Sequence, residues 1–202
     1  MFYEPSKGHG LPHDPFKAIV APRPIGWIST RGGDGSINLA PYSFFNAFSS
    51  HPPLVWFSSE GVKDSITFAR ETGEFVANLV GSHIAKEMNA TSVDTPRGVS
   101  EFDYAGLTPV PSRLVAAPRV AEAHAALECK VTEIFEPKGI DGRAAGVHVC
   151  IGEVIGVHID EAVLTDGLFD VVQAGNVSRL GYFDFSAITE TFAMRRPKWK
   201  AD

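Results

Sequence analysis

The sequence predicts a mainly β protein with a few short helices inserted, arranged as a closed or nearly closed antiparallel barrel. Short segments rich in Val, Ile, Phe and Thr recur along the chain, and this is the composition of strands. Clusters of Gly, Pro, Asn and Asp separate them, as expected for turns between successive strands. No internal repeat of fixed period is present. A barrel is favoured because closure leaves few exposed strand edges.

The first sixty residues carry the clearest strand pattern. Residues 1–24 are predicted to form an extended arm, because their five prolines prevent a continuous helix. Four strands follow, at 25–30, from Ile37 onward, at 43–49 and at 54–58. The last two flank a rigid corner at His51-Pro52-Pro53, since proline has no N–H to donate to a strand ladder.

Two helices and three more strands are predicted in the rest of the chain. One helix starts at Asp64 and ends before Gly73, and a second covers about 83–89 with Ser82 as its cap. The strands are 75–80, 127–131 and 144–159. Residues 91–118 contain four prolines and form a long connection that covers the barrel or reaches a partner subunit. We therefore expect a single domain over residues 1–202.

The composition excludes several classes of function. Hydrophobic residues make up 44% of the 202 positions and charged residues 21%, as in ordinary globular proteins. The net charge of -6 leaves no general attraction for nucleic acid. Because no secretory signal and no membrane-spanning apolar run is present, we expect a cytoplasmic protein without membrane contact. Cys129 and Cys150 are interpreted as buried free thiols, and no metal site is predicted.

A candidate anion site lies where a strand leads into the first helix. Ser58 and Ser59 end the strand, and Lys63 stands just before the helix. The N–H groups at a helix N-terminus attract phosphate, while hydroxyls and a lysine add hydrogen bonds and charge. The alternative is that Asp64 or Ser65 simply caps the helix. Taken alone, the motif favours the capping interpretation.

Residues 40–54 interleave aromatic and small polar side chains densely. A planar heteroaromatic ligand needs apolar contacts for its faces and polar groups for its edge. A β core with polar residues facing outward would explain the phenylalanines equally well, but it would not require Asn46. Asn46 is therefore the residue that favours a ligand site.

Five short motifs occur in order along nearly the whole chain. They are RPIGWIST from Arg23, NLAPYSFF from Asn38, HPPL from His51, KDS from Lys63 and IGEV from Ile151. Together they resemble the flavin-reductase-like FMN-binding split-barrel family, and most closely the branch of flavoredoxin and the nitrilotriacetate monooxygenase reductase component. The resemblance implies a six-stranded antiparallel split β-barrel and a homodimer, with FMN near the subunit interface.

The resemblance also assigns the cofactor-binding residues. The resemblance assigns contacts with the edge of the isoalloxazine ring to Ser43, Phe44, Phe45 and Asn46. It assigns contacts with the phosphate to Ser58, Ser59, Lys63, Asp64 and Ser65. Further ring contacts are assigned to Asn78, Leu79 and Val80. Trp27 and Tyr182 either stack near the ring or belong to the core or the interface, and Arg179 makes a cofactor or dimer contact.

One departure from the family pattern concerns a histidine. Many reductases of the family carry a histidine five residues before the glycine of the Ile-Gly-Glu-Val segment, placed to meet a nicotinamide. That position here is Val147, and the histidine falls at His148. Since a one-residue step turns a strand side chain to the opposite face, either a bulge restores the histidine or the protein does not use it. His158 is a second candidate, and a structural role is the alternative for it.

Three functions follow from the resemblance. The first is an NAD(P)H-dependent flavin reductase that supplies reduced flavin or electrons to a partner such as a monooxygenase. The second is a flavoredoxin-like electron carrier with tightly held FMN. The third is a non-enzymatic flavin-binding module, or the same barrel holding another cofactor such as haem. In the first two functions the flavin carries the chemistry and the protein supplies orientation and electrostatics.

Overall fold

A curved seven-stranded antiparallel sheet forms most of the molecule in the computed structural model, which describes residues 1–96 and 99–199. Its strands are β1 (Gly26–Arg31), β2 (Ile37–Tyr42), β3 (Phe45–Ser50), β4 (Pro53–Glu60), β5 (Glu74–Asn78), β6 (Ala125–Phe135) and β7 (Val147–Ile159). They lie side by side in the order β2-β1-β5-β6-β7-β4-β3. The predicted mainly β architecture is confirmed.

The sheet has seven strands where the resemblance implied six. β2 and β3 follow each other in the chain, yet they form the two opposite edges of the sheet. The chain crosses from one edge to the other at Ser43 and Phe44, so a single extended segment supplies two edge strands. The sheet curls until these edges approach each other, and a seam remains between β2 and the β3–β4 hairpin.

Short helices and small sheets cover this half-barrel. The α-helices longer than four residues are α1 (Asp64–Thr72), α2 (Ala85–Ala90) and α3 (Glu101–Ala105), and a single turn lies at Phe16–Ile19. The 3-10 turns are Pro5–Lys7, Ser82–Ile84 and Glu161–Val163. A three-stranded sheet joins Arg23–Pro24, Val177–Arg179 and Phe185–Ala187. Two small ladders pair Pro109–Val110 with Arg119–Val120 and Leu164–Thr165 with Leu168–Phe169.

Two details differ from the sequence-based expectations. Ser82 does not cap the second helix, because it is the first residue of a 3-10 turn and no side chain caps that turn. The 91–118 connection contains α3, whose cap Ser100 accepts a hydrogen bond from the Phe102 N–H at 3.2 Å. A five-residue helix is too short to produce a visible hydrophobic period. Residues 97–98 of the connection, like 200–202 of the expected domain, lie outside the described residues.

The core lies on both faces of the sheet. Inside the curl, Phe57, Phe75 and Ile66 pack with Cys129 and Cys150, and both thiols are buried and free as predicted. Burial raises the pKa of each thiol, which keeps both protonated and unreactive. On the outer face a second cluster packs beneath α2 and α3. Within the described ranges, no helix combines the length and apolar character needed to span a bilayer.

Candidate functional site

The main cavity lies at the seam of the half-barrel, where β2 faces the end of β4. Its volume is about 430 Å³, within the range of small-molecule sites. The N-terminus of α1 and the segment 91–95 form the other walls. The sequence-predicted residues on these walls are Ser43, Phe44, Ser58, Ser59, Lys63, Asp64 and Ser65. The two local motifs, separated by fourteen or more positions, therefore meet in one place.

Unpaired hydrogen-bonding groups mark one end of the main cavity. Ser59 is 1% exposed, and its Oγ makes no hydrogen bond of standard geometry, although the Tyr42 phenol lies beside it. No side chain caps α1, so the N–H groups of Asp64 to Ile66 are the unsatisfied donors of a helix N-terminus. Neither Asp64 nor Ser65 is the cap, since Lys63 occupies that position in extended conformation. The capping interpretation of this motif is therefore wrong for the structure.

Lys63 reaches across the mouth of the cavity to Asp94. The Nζ–Oδ1 distance is 3.0 Å, and both side chains are more than half exposed. The hydrogen bond to Asp94 raises the pKa of Lys63, with burial opposing it. Lys63 is therefore fully charged. An incoming anion can displace Asp94 from Lys63, because an exposed ion pair contributes little free energy.

Several residues of this cavity were not assigned to a site from the sequence, and three of them make contacts that shape its walls. Tyr42 lines the wall beside Ser59 and Ser65, and its ring centroid lies 5.0 Å from that of Phe57. Burial raises the pKa of the Tyr42 phenol, and the nearby serine hydroxyls only partly oppose this. Asn38 donates to Ser65 Oγ at 2.8 Å. Glu101, on α3, accepts the Leu39 N–H at 3.0 Å and so ties the helix to β2.

A second cavity, the cationic cavity, adjoins the first. It measures about 220 Å³ and shares Lys17, Pro41, Ser43 and Ser92 with the main cavity. Arg23 and Arg179 also line it, together with Tyr182. The predicted residues Arg179 and Tyr182 are therefore close to the main cavity without belonging to it.

A third, apolar cavity contains three of the remaining predicted ring contacts. It measures about 340 Å³, and its walls include Phe45, Asn78 and Leu79. Asn78 is 2% exposed and fully engaged: its amide donates to Trp27 O and Ser29 Oγ and accepts the Val120 N–H. These residues do not share a wall with the phosphate motif. The set that the resemblance assigned to one site is thus divided between cavities.

Comparison with known proteins now identifies the family. The model of the flavin reductase like domain matches residues 20–177. The chain belongs to this family. An uncharacterized protein of Halalkalibacterium halodurans is 36% identical over 183 residues, which cover 88% of this chain and 87% of the relative.

Solved structures of the family share the fold. Nitrilotriacetate monooxygenase component B from Bacillus cereus is 27% identical with a TM-score of 0.87, over 96% of this chain and 98% of the other. Flavoredoxin of Desulfovibrio vulgaris is 24% identical with a TM-score of 0.77, over 86% and 90%. The second likeness concerns the fold alone. The expected family and split barrel are confirmed, and the family membership gives the protein a flavin-related redox role.

The remaining residues predicted from the flavin reductase pattern lie outside the three cavities. Trp27 and Val80 belong to the outer core cluster, and the Trp27 indole N–H donates to Thr91 Oγ1 at 2.8 Å. This placement favours the core interpretation of Trp27. Asn46 is exposed on β3, where its Oδ1 accepts the Ala47 N–H at 2.8 Å. Its contact with a flavin stays a prediction.

No bulge brings the family histidine into place. β7 pairs with β4 residue by residue from Val147 to Glu153, and His148 stands opposite Ser59. The pairing of β7 with β6 is irregular nearby, but the extra residue there is Thr132, which belongs to β6. The alternative in which a bulge restores the histidine is therefore wrong.

His158 is held in a structural pair. Its Nε2 contacts Oε1 of Glu128, a carboxylate that is 0% exposed. Glu128 also accepts the N–H groups of Arg113 at 2.8 Å and Leu114 at 2.6 Å. Burial alone would raise the pKa of Glu128, but these hydrogen bonds hold it below its ordinary value. The pair joins β7, β6 and the 113–114 segment.

Proposed function

We propose that the protein binds FMN in the main cavity and acts as an NAD(P)H-dependent flavin reductase. One observation carries the proposal: the unpaired, buried Ser59 hydroxyl, the uncapped N-terminus of α1 and Lys63 converge on one cavity. A buried polar group without a partner costs about 1–3 kcal/mol, so this arrangement favours a ligand that supplies acceptors. A phosphate monoester has the required charge and oxygens.

The residues present fit the two ends of FMN. The phosphate would accept hydrogen bonds from Ser59, from the α1 N–H groups and from Lys63 after it leaves Asp94. The ring would lie toward Ser43 and Phe44, whose hydroxyl and aromatic face suit the edge and face of a planar heterocycle. A cavity of about 430 Å³ is large enough for a ligand of this class.

The protein's own contribution is binding, orientation and exclusion of water. Bound FMN supplies hydride and electron transfer, which no side chain of the cavity provides. Main-chain N–H groups and the Ser43 hydroxyl would hydrogen-bond the ring edge and favour its reduced, more negative form. Tyr42, kept neutral by its raised pKa, would serve as a neutral hydrogen-bonding group near the phosphate.

We further propose that the protein is a homodimer that passes reduced flavin or electrons to a partner enzyme. Large apolar side chains stand exposed at both ends of the chain, with Phe2 at 88%, Phe192 at 86% and Trp199 at 93%. Such exposure favours burial against a second copy. A monooxygenase is one candidate partner, because the Bacillus cereus neighbour is a monooxygenase component.

Anaerobic addition of NADH or NADPH to the FMN-loaded protein tests the reductase activity. The proposal predicts that the visible absorption band of the flavin disappears on the timescale of one turnover and reappears when air is admitted. A band that persists under both nucleotides, in protein that retains FMN, would exclude the reductase while leaving the flavin site intact.

A flavoredoxin-like electron carrier is the second candidate, and the β7 register favours it. Val147 occupies the position of the nicotinamide-facing histidine. Because the pairing with β4 is unbroken, the side chain of His148 lies on the face of β7 opposite to that of Val147. A carrier needs no nicotinamide contact, only FMN that stays bound. In that case the protein would remain yellow after gel filtration, and a reduced protein partner rather than a nicotinamide would bleach it.

A further inference from the structure

The cationic cavity is lined by positive side chains from three separate segments. Lys17 comes from the helical turn Phe16–Ile19, Arg23 from the strand Arg23–Pro24, and Arg179 from the strand Val177–Arg179. No carboxylate lines this cavity, and no ion pair among residues 1–96 and 99–199 neutralises any of the three. In a chain of net charge -6, this concentration of positive charge is exceptional.

Arg23 holds together the main chains of the two segments that carry the other cations. It is 6% exposed, and its guanidinium donates only to main-chain carbonyls: Lys17 O, Val20 O at 2.8 Å and Leu180 O at 2.9 Å. Its Nε has no partner. The three carbonyls belong to the two segments that carry Lys17 and Arg179. The fold therefore fixes the main chains that carry Lys17 and Arg179, while the Lys17 side chain is exposed and that of Arg179 is half-buried.

The like charges of this cluster are left uncompensated. Burial lowers the pKa of Arg23, and the nearby charge of Arg179 lowers it further. Arg179 has its Cζ 4.4 Å from the Phe185 ring centroid, and Lys17 has its Nζ 5.8 Å from that of Phe44, so both lean on aromatic faces. Aromatic contacts orient a cation without neutralising it. An anion in the cavity would relieve the mutual repulsion.

Neutral hydrogen-bonding groups complete the walls. Ser43, Ser92 and Asn89 line the same space. A volume of about 220 Å³ accommodates a phosphate or carboxylate group. The chemistry thus matches an oxyanion in size, charge and hydrogen bonding.

We propose that the cationic cavity is a subsite for the phosphate or carboxylate group of a second ligand, bound beside the proposed FMN site. This goes beyond the proposed function, because it needs only an oxyanion and holds whether or not the main cavity takes FMN. Because the two cavities share a wall, a ligand anchored here would lie next to whatever occupies the main cavity.

Calorimetric titration of the full-length protein with inorganic pyrophosphate tests the subsite. Arg179→Gln should weaken binding about tenfold, the effect of one charge-assisted hydrogen bond. Lys17→Gln, at an exposed position that leaves folding intact, should weaken it roughly threefold. Arg143→Gln is the matched control: Arg143 lies on an exposed hairpin, pairs with Asp141 and is 87% exposed, so its loss should change nothing.

The same titration on FMN-saturated protein separates the two sources of the oxyanion. Unchanged pyrophosphate affinity, still dependent on Arg179, supports a second ligand. Loss of pyrophosphate binding on FMN saturation would mean that FMN itself fills the cavity, and this overturns the proposal. Absence of binding, or equal affinity in the Arg179 and Arg143 variants, overturns it as well. If FMN fails to bind but pyrophosphate binding depends on Arg179, the proposed function fails and the subsite stands.

Discussion

Replacing Lys63 by alanine should weaken FMN binding about tenfold and leave riboflavin binding nearly unchanged. A hydrogen bond to a charged group contributes about 1.5–3 kcal/mol when both partners are buried. The Lys63 side chain is 55% exposed, so solvent screening reduces this to about 1.4 kcal/mol, which is a factor of ten. Riboflavin lacks the phosphate, so a change in riboflavin affinity measures the effects of the substitution that do not involve the phosphate.

Asp94→Asn should act in the opposite direction. Asp94 holds Lys63 at 3.0 Å and must release it before a phosphate can take its place. An exposed ion pair contributes about 0.2–1 kcal/mol, so its removal should tighten FMN binding about 1.4- to fivefold. Both effects should shrink at high salt, since the Debye length falls to about 3 Å at 1 M.

Quenching of flavin fluorescence, titrated with each protein, gives both dissociation constants. Lys138→Ala serves as the matched control, because Lys138 is an exposed lysine on the hairpin between β6 and β7. Equal weakening of FMN and riboflavin binding by Lys63→Ala, or the same effect from Lys138→Ala, would show that Lys63 does not bind the phosphate. A weaker FMN complex in Asp94→Asn would show that Asp94 assists the phosphate rather than competing with it.

Three further perturbations test separate parts of the account. Asn46→Ala should change FMN affinity or redox potential, and an unchanged affinity, potential and spectrum would remove Asn46 from the site. Glu128 has a lowered pKa, so its stabilisation is present above the ordinary value of 4.5 and is lost as the pH falls. In urea unfolding, the free energy of unfolding of Glu128→Gln should therefore fall less steeply than that of wild type as the pH is lowered. An equal dependence on pH would contradict the role of the pair with His158. Gly152→Ala would press a Cβ against the Phe75 ring and should cost about 1–3 kcal/mol, also measurable by urea unfolding; wild-type stability would show that the ring can move aside.

Much of the fold was predictable because the evidence for it is local. The strand at 25–30 and the helix after Lys63 are encoded by neighbouring residues, and Gly73 ends that helix with φ at 71° as expected. The strand Phe45–Ser50 was predicted from its residues as a strand at 43–49, but its place at the far edge of the sheet was not, and it is this pairing that gives seven strands instead of six. Edge assignment is a long-range property that no short window contains.

The candidate site divides in the same way. Ser59 and Lys63 were found because the anion motif is contiguous in sequence. Asp94, Glu101 and Arg23 reach the cavities from distant segments. Asp94 and Glu101 resemble ordinary surface residues in the sequence, and Arg23 belongs to a recognised motif but was given no role there. The folded chain brings them together, so only the structure reveals the acidic partner of Lys63 and the cationic cluster beside it.

Direct FMN titration of the purified protein tests the central claim, that the seam of the half-barrel is a preformed phosphate-and-ring site. We expect a yellow complex with one FMN per chain, in which FMN binds more than about tenfold more tightly than riboflavin, because Ser59 and the α1 N–H groups add to the contribution of Lys63. Protein that stays colourless and takes up no FMN, or that binds both flavins equally, would contradict it.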